Sequence, residues 1–310
     1  AKGLGIAIAD YDRDGHPDIF VANDSMLEFL FHNKGDGTFE EVGLEAGGAA
    51  NAEGQTFAGM GVDFADYDND GWPDIAVTDL ANQIYAIYHN SGNGSFRYDS
   101  VASGLSATTA LHSGWGMRFM DYDNDGWKDI FIAQGHDLDT VEKSFPELHY
   151  REAPMVPRNL RGKQFIKVGS TSGDLFQQKW VGRGLAIGDI DNDGRLDVVI
   201  SENGGPAHIL MHRTQTDHHW IGFKLIGHKS NRDGIGAVIR VETSAGPQWQ
   251  TVTSSSSYLS ASDVRAHFGL GVDSHAKTVE IRWPSGIVQK LSDVTADRYV
   301  TVEEPVGLKG

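Results

Sequence analysis

Cysteine is absent from the 310 residues, which excludes disulfides and thiolate metal sites at the outset. The same absence leaves compartment open, because it suits an exported bacterial protein as well as a cytosolic one. No apolar run approaches the ~20 residues that cross a bilayer, so no membrane span is expected. Positive charge is scarce: 26 Lys and Arg stand against 43 Asp and Glu, a formal net charge of −17. That balance argues against nucleic acid or an anionic membrane surface as the main partner. The chain opens AKGLGIAIAD without an initiator Met or a leader pattern, which suggests that residue 1 is not the start of the gene. At this length, either one large all-β unit or two domains can enclose a sizeable core.

What the chain has in excess is aspartate, and it is concentrated. DYDRDGHPD (Asp10 to Asp18), DYDNDGWPD (Asp66 to Asp74), DYDNDGWKD (Asp121 to Asp129) and DIDNDGRLD (Asp189 to Asp197) hold sixteen of the 43 acids. Their first aspartates are spaced 56, 55 and 68 residues apart, and glycines stand seven and five residues before each of them. The repeat therefore extends beyond the acidic stretch. Upstream, GLGIAIAD alternates small residues (Gly3, Gly5, Ala7, Ala9) with large ones (Leu4, Ile6, Ile8), a period of two. Downstream come DIFVA, DIAVT, DIFIA and DVVIS, short β-branched runs that read as strands. Each acidic stretch is then the loop of a hairpin. LEFLFHNKGDGTFEEV (Leu27 to Val42) and QIYAIYHNSGNGSFRYD (Gln83 to Asp99) add second hairpins that turn at Gly-Asp-Gly and Gly-Asn-Gly.

Four strands per repeat with almost nothing helical predict an all-β fold of β-propeller blades. The glycine-rich first strand is expected innermost, where blades crowd the axis. The four blades are expected at about 1–55, 56–110, 111–178 and 179–216, the fourth without an obvious last strand. The longer third interval places its excess at 135–159, read as a surface loop.

Four carboxylates this close repel one another unless a cation joins them. Side-chain oxygens at positions 1, 3, 5 and 9, with a backbone carbonyl at 7, make a hard-oxygen cage suited to Ca²⁺ more than to octahedral Mg²⁺. The expected ligands are Asp10, Asp12, Asp14 and Asp18 with His16; Asp66, Asp68, Asp70 and Asp74 with Trp72; Asp121, Asp123, Asp125 and Asp129 with Trp127; and Asp189, Asp191, Asp193 and Asp197 with Arg195. Four Ca²⁺ ions follow. Gly15, Gly71, Gly126 and Gly194 at position 6 permit the wrap. An EF-hand needs Glu at position 12 and a helix beyond it; Val21, Val77, Ile132 and Ile200 stand there, inside predicted strands.

DxDxDGxxD between two strands resembles the calcium loops of FG-GAP/VCBS repeats, the blades of integrin-type propellers. In that family the four Asp side chains and the position-7 carbonyl hold the ion, and all sixteen Asp residues match. The resemblance covers about residues 1–216. From 217 to 310 the acidic loop disappears and alternating runs such as HHWIGFKLIG, GAVIRVET and TVEIRWP predict a small β-sandwich or barrel. SNRDGIGAVIRV (Ser230 to Val241), SSYLSASDVRAHFGLG (Ser256 to Gly271) and VEIRWPSG (Val279 to Gly286) resemble the ASPIC/UnbV module of the cartilage acidic protein family and its bacterial relatives. Gly234 and Ser255 depart from the common Ala and Gly. Because the family usually has more than four blades, these are expected to form part of a larger propeller. Closure would come from blades upstream, another chain or the C-terminal domain; a self-contained four-bladed ring is the alternative.

No catalytic constellation emerges. The serines of TSSSSYLSAS (Thr253 to Ser262) have His267 nearby but no nucleophile elbow, and read as a turn. His112, His136 with Asp137 and Asp139, and His149 lack a paired metal spacing. Trp72, Trp115, Trp127 and Trp180 read as blade packing ahead of sugar stacking, and Arg118 with Asp63 as a polar contact between blades ahead of a channel lining. The expectation is a non-catalytic, calcium-binding protein of the cell surface, extracellular space or periplasm that binds or assembles with a protein or glycan. A carbohydrate-binding propeller, or an accessory subunit of an enzyme, is the alternative.

Overall fold

The computed structural model describes residues 2–168 and 173–306; the outer limits expected for the two domains, residues 1 and 310, lie outside them. The first sheet runs β1 (Gly3–Ala9), β2 (Asp18–Met26), β3 (Phe29–Asn33), β4 (Phe39–Glu41), each antiparallel to the one before. A short strand, β5 (Phe57–Ala58), pairs with the end of β2 and ties this blade to the next. The second sheet repeats the order with β6 (Val62–Ala65), β7 (Asp74–Val77), β8 (Ala86–Asn90) and β9 (Phe96–Tyr98). The third joins β10 (Gly114–Met120) to β11 (Asp129–Gln134), with the hairpin β12 (Pro157–Asn159) and β13 (Phe165–Lys167) alongside through a bridge between Ile132 and Met155. The fourth has β14 (Gly182–Gly188), β15 (Asp197–Glu202) and β16 (His208–Leu210), and no fourth strand among the described residues. The chain is all-β, in blade-like sheets.

The blades pack face to face in chain order. Ala7, Phe20 and Leu30 of the first share a core with Val62, Ile75 and Tyr88 of the second. Ala76, Tyr85 and Ile87 of the second meet Met117, Ile130 and Phe165 of the third. Phe131, Ala133 and Val156 of the third meet Leu185, Val198 and Ile200 of the fourth. The inner glycines permit this approach: a Cβ at Gly61 would overlap the carbonyl oxygen of Trp115 in the next blade, and one at Gly5 that of Met60.

The 135–159 insertion is partly packed, where a surface loop was expected. It carries α2 (Val141–Ser144), after α1 (Leu105–Thr109) earlier in the chain, and buries Val141 and Leu148 with Ala81 of the second repeat. Apolar residues spaced along a polar segment supply enough burial to anchor it.

The C-terminal part is a sandwich. One sheet orders β22 (Ala266–Gly271), β17 (His219–Ile226), β25 (Arg298–Glu303); the other orders β19 (Pro247–Thr251), β18 (Val238–Glu242), β23 (His275–Arg282), β24 (Val288–Thr295). Between them lie Phe223, Ile239, Phe268, Val279 and Ile281. A short hairpin, β20 (Ser255–Ser256) with β21 (Ser260–Ala261), leaves the sandwich and runs along the inner strands of the blades. Ser257 bridges Val62 of β6, its hydroxyl accepts from the Met117 amide at 3.1 Å, and Asp263 donates its amide to the Ile187 carbonyl at 3.0 Å.

Candidate calcium loops and their cover

The four acidic loops share one hydrogen-bond plan. The position-6 glycine amide donates to the first carboxylate: Gly15 to Asp10 (3.0 Å), Gly71 to Asp66 (2.9 Å), Gly126 to Asp121 (2.8 Å), Gly194 to Asp189 (2.9 Å). The position-7 amide donates to the fifth-position carboxylate in each: His16 to Asp14, Trp72 to Asp70, Trp127 to Asp125, Arg195 to Asp193, at 2.8 to 3.0 Å. These glycines hold φ between 84 and 98°, where a Cβ is disfavoured. Position 4 is also left-handed (Arg13, Asn69, Asn124, Asn192), which accounts for Asn in three copies.

The ninth carboxylate has a second duty. Asp18, Asp74, Asp129 and Asp197 are at most 1% exposed. One oxygen of each accepts from the position-2 amide (Tyr11, Tyr67, Tyr122, Ile190). The other accepts from an amide at the end of the third strand or two residues past it: Asn33, Asn90, Asn159 or His212, at 2.7 to 2.8 Å. It braces the loop against the sheet while offering its remaining lone pairs inward.

Carboxylate oxygens approach within 4.8 Å of one another among Asp10, Asp12 and Asp14, among Asp66, Asp68 and Asp70, and among Asp121, Asp123 and Asp129. Burial, then neighbouring carboxylates, pushes several of these acids upward: Asp18 to about 6, Asp74 to about 7, and Asp121 and Asp129 well above the usual range. Asp10 Oδ1 and Asp123 Oδ1 are buried with no hydrogen-bond partner among the described residues. Buried, unpartnered, mutually repelling oxygens fit a hard divalent cation such as Ca²⁺.

Several participants escape the aspartate motif. His32 Nδ1 stands 3.3 Å from both Asp12 and Asp18, and His89 Nδ1 stands 3.4 and 3.2 Å from Asp68 and Asp74. In the third repeat Arg158 takes the same sheet position and pairs with Asp123 (2.7 Å) and Asp125 (3.4 Å). The HN pair shared by LEFLFHNKGDG and QIYAIYHNSGNG is the sequence signal for the imidazoles. Lys128 is buried, its ammonium drawn down by burial while Asp66, Asp121 and Asp63 oppose the shift. Nothing in the spacing marks it.

Loops 2, 3 and 4 are linked in series, and the C-terminal sandwich lies against the fourth. Asn69 Nδ2 donates to the Gly126 carbonyl (3.0 Å), and Asn124 Nδ2 to the Gly194 carbonyl (3.1 Å). Arg265 donates to Asn192 (2.6 Å) and to the Asp189 carbonyl (2.8 Å), and the Tyr299 hydroxyl donates to Asp189 Oδ2 (2.9 Å). His267 Nε2 meets the Gly194 carbonyl at 3.0 Å, so this buried ring is taken by a loop of the fourth blade and not by the serine run.

The other sequence candidates have partners of their own. Arg118 Nη1 bonds Asp63 at 3.0 Å and also meets Ser256, a buried contact among two blades and the C-terminal hairpin. His112 lies between Glu152 (2.8 Å, through Nδ1) and the Lys167 ammonium (2.9 Å, at Nε2). His136 pairs with Asp137, and His149 with Glu142. Trp180 stacks on His208, Trp115 packs on Tyr258 beneath Arg183, and Arg13 lies over Trp72.

Comparison with known proteins agrees with this construction. A model described as an FG-GAP-like repeat matches residues 10–77 and 66–132, and one described as ASPIC and UnbV matches 227–309. Cartilage acidic protein 1 of Homo sapiens is 27% identical over 297 residues, 92% of this chain and 41% of that protein. The Mus musculus protein is 26% identical over 301 residues, 92% and 42%. Integrin alpha-4 of Xenopus laevis is 28% identical over 154 residues, 42% and 14%. The chain thus spans about two fifths of the cartilage acidic proteins it matches. Among solved structures, an Agrocybe aegerita lectin recognising non-reducing terminal N-acetylglucosamine is 20% identical at a TM-score of 0.36, covering 66% of this chain and 51% of that one. The V. cholerae biofilm matrix protein Bap1 is 10% identical at 0.37, covering 93% and 48%. At these TM-scores neither likeness carries an argument.

Proposed function

Because the chain belongs to the family that joins FG-GAP-like repeats to an ASPIC and UnbV domain, we propose that it is a calcium-stabilised, non-catalytic binding and assembly module of the adhesion type. The observation that carries this reading is the fourfold recurrence of one wrapped carboxylate loop, with buried oxygens left unpartnered. A bound ion supplies the opposing charge; the chain supplies the fixed oxygens and the amides that orient them. Open, surface-built loops of this kind suit millimolar calcium, so the protein works outside the cytoplasm: on the cell surface, in the extracellular space or in the periplasm. The partner is a protein or a glycan.

Mass action sets the expected effect. At millimolar Ca²⁺ and weak affinity, each ion stabilises the fold by roughly 1–2 kcal/mol. Native mass spectrometry should count four ions, and chelation should lower Tm. An unchanged Tm in chelator, with no ion bound, would overturn the calcium role.

A further inference from the structure

The four loops share a backbone plan but not a rim. At the residue that follows the third strand's pairing with the second, repeats 1 and 2 place an imidazole against two cage carboxylates: His32 on Asp12 and Asp18, His89 on Asp68 and Asp74. Both Nδ1 atoms are buried and make no hydrogen bond within normal limits. Repeat 3 places Arg158 there, paired with Asp123 and Asp125. Repeat 4 has Met211 at that position, but two guanidiniums reach the cage from elsewhere. Arg195, at position 7 of the loop, pairs with Asp193; Arg213 pairs with Asp191 (2.9 Å) and Asp193 (3.3 Å). A guanidinium carries a permanent charge and a fork of donors shaped for carboxylate. It satisfies the same oxygens that a cation needs.

We propose that the cages form two classes: repeats 1 and 2 fill at low divalent-ion concentration, and repeats 3 and 4 hold arginines that compete with the ion and defer filling to higher concentration. This rests on the calcium reading above. An opposite charge within 4–6 Å alters a carboxylate's proton affinity by about one to three powers of ten, and a divalent ion faces the same competitor. Removing Arg158 should therefore tighten the third cage by about tenfold or more, and His89→Arg should weaken the second by a similar factor.

The test is a calcium titration of the whole chain by native mass spectrometry, in which Asp68→Ala and Asp123→Ala each delete one site, so that the step lost assigns loop 2 or loop 3. The expected result is two ions bound before the other two, with the loop-3 step later than the loop-2 step. Arg158→Gln should bring the loop-3 step forward, and circular dichroism without metal should show that each variant retains its fold. Four ions in a single step, or a loop-3 step unmoved by Arg158→Gln, would overturn the two classes and leave the calcium reading standing. Absence of any bound ion would overturn both.

Discussion

Glu28, 1% exposed, accepts the Asn23 amide at 2.5 Å and has its other oxygen buried without a partner among the described residues. Burial pushes its carboxyl up to about 9, with the charge of Asp79 adding to the shift; burial likewise lifts Asp79 to about 7. A carboxyl raised in the folded state contributes stability that is complete below its unfolded value and is lost as pH rises through the folded value. For Glu28 that window runs from about 4.5 to about 9, at about 1.4 kcal/mol per pH unit. With calcium held constant, Tm should fall between pH 6 and pH 9, and Glu28→Gln should flatten that slope and raise Tm at the alkaline end. A Tm profile identical in the two proteins would refute the assignment. The alternating pattern identifies Glu28 only as a polar residue in a hairpin; its burial depends on the second blade covering the first.

A loop is the unit in which the carboxylates act, because amides of the same nine residues hold the first and fifth positions and one oxygen of the ninth. Asp68→Ala should therefore remove one ion and destabilise the second blade, while three ions remain. Native mass spectrometry showing loss of the third and fourth ions as well would mean that the Asn69 and Asn124 links between loops transmit the damage. The acidic loops, their flanking strands and the second hairpins of repeats 1 and 2 were legible, because glycine spacing and period-two alternation are local signals. The third repeat's second hairpin was not. Its turn at Leu160–Lys163 lacks the Gly-X-Gly of the others, although Asn159 repeats the bonds of Asn90 to the neighbouring backbone. Strand β24 also escaped notice: it is an edge strand with only one buried residue, Val294, so it carries little apolar alternation. The rim residues Arg158, Arg213 and Lys128 were hidden for a different reason, since each meets a carboxylate cluster only after the strands are assembled.

Across the whole molecule, the repeat shows which face of a blade needs a neighbour. Val62, Phe64, Tyr88 and Phe96 pack the second blade onto the first; Val62 and Tyr88 are 0% exposed and Phe96 7%. Their counterparts in the first blade, by loop position and strand register, are Ile6, Ile8, Phe31 and Phe39. There Ile6 is 52% exposed, Ile8 37% and Phe39 46%. The opposite end of the stack is different. At Gly184, the counterpart of Gly5, Gly61 and Gly116, the adjacent groups are Ser260 and the Tyr258 carbonyl, so the C-terminal hairpin takes the place of a further inner strand. The uncovered apolar face therefore belongs to the first blade, and a contiguous patch of this kind marks an interaction surface. In the assembled protein we expect another β-sheet to cover it, from a further blade or a partner chain. Prepared alone with calcium, these 310 residues should self-associate through that face. Size-exclusion chromatography with light scattering should show oligomers, and the double substitution Ile6→Glu with Phe39→Glu should restore the monomer without changing the ion count. A monodisperse wild-type monomer would refute the expectation, as would association that survives both substitutions.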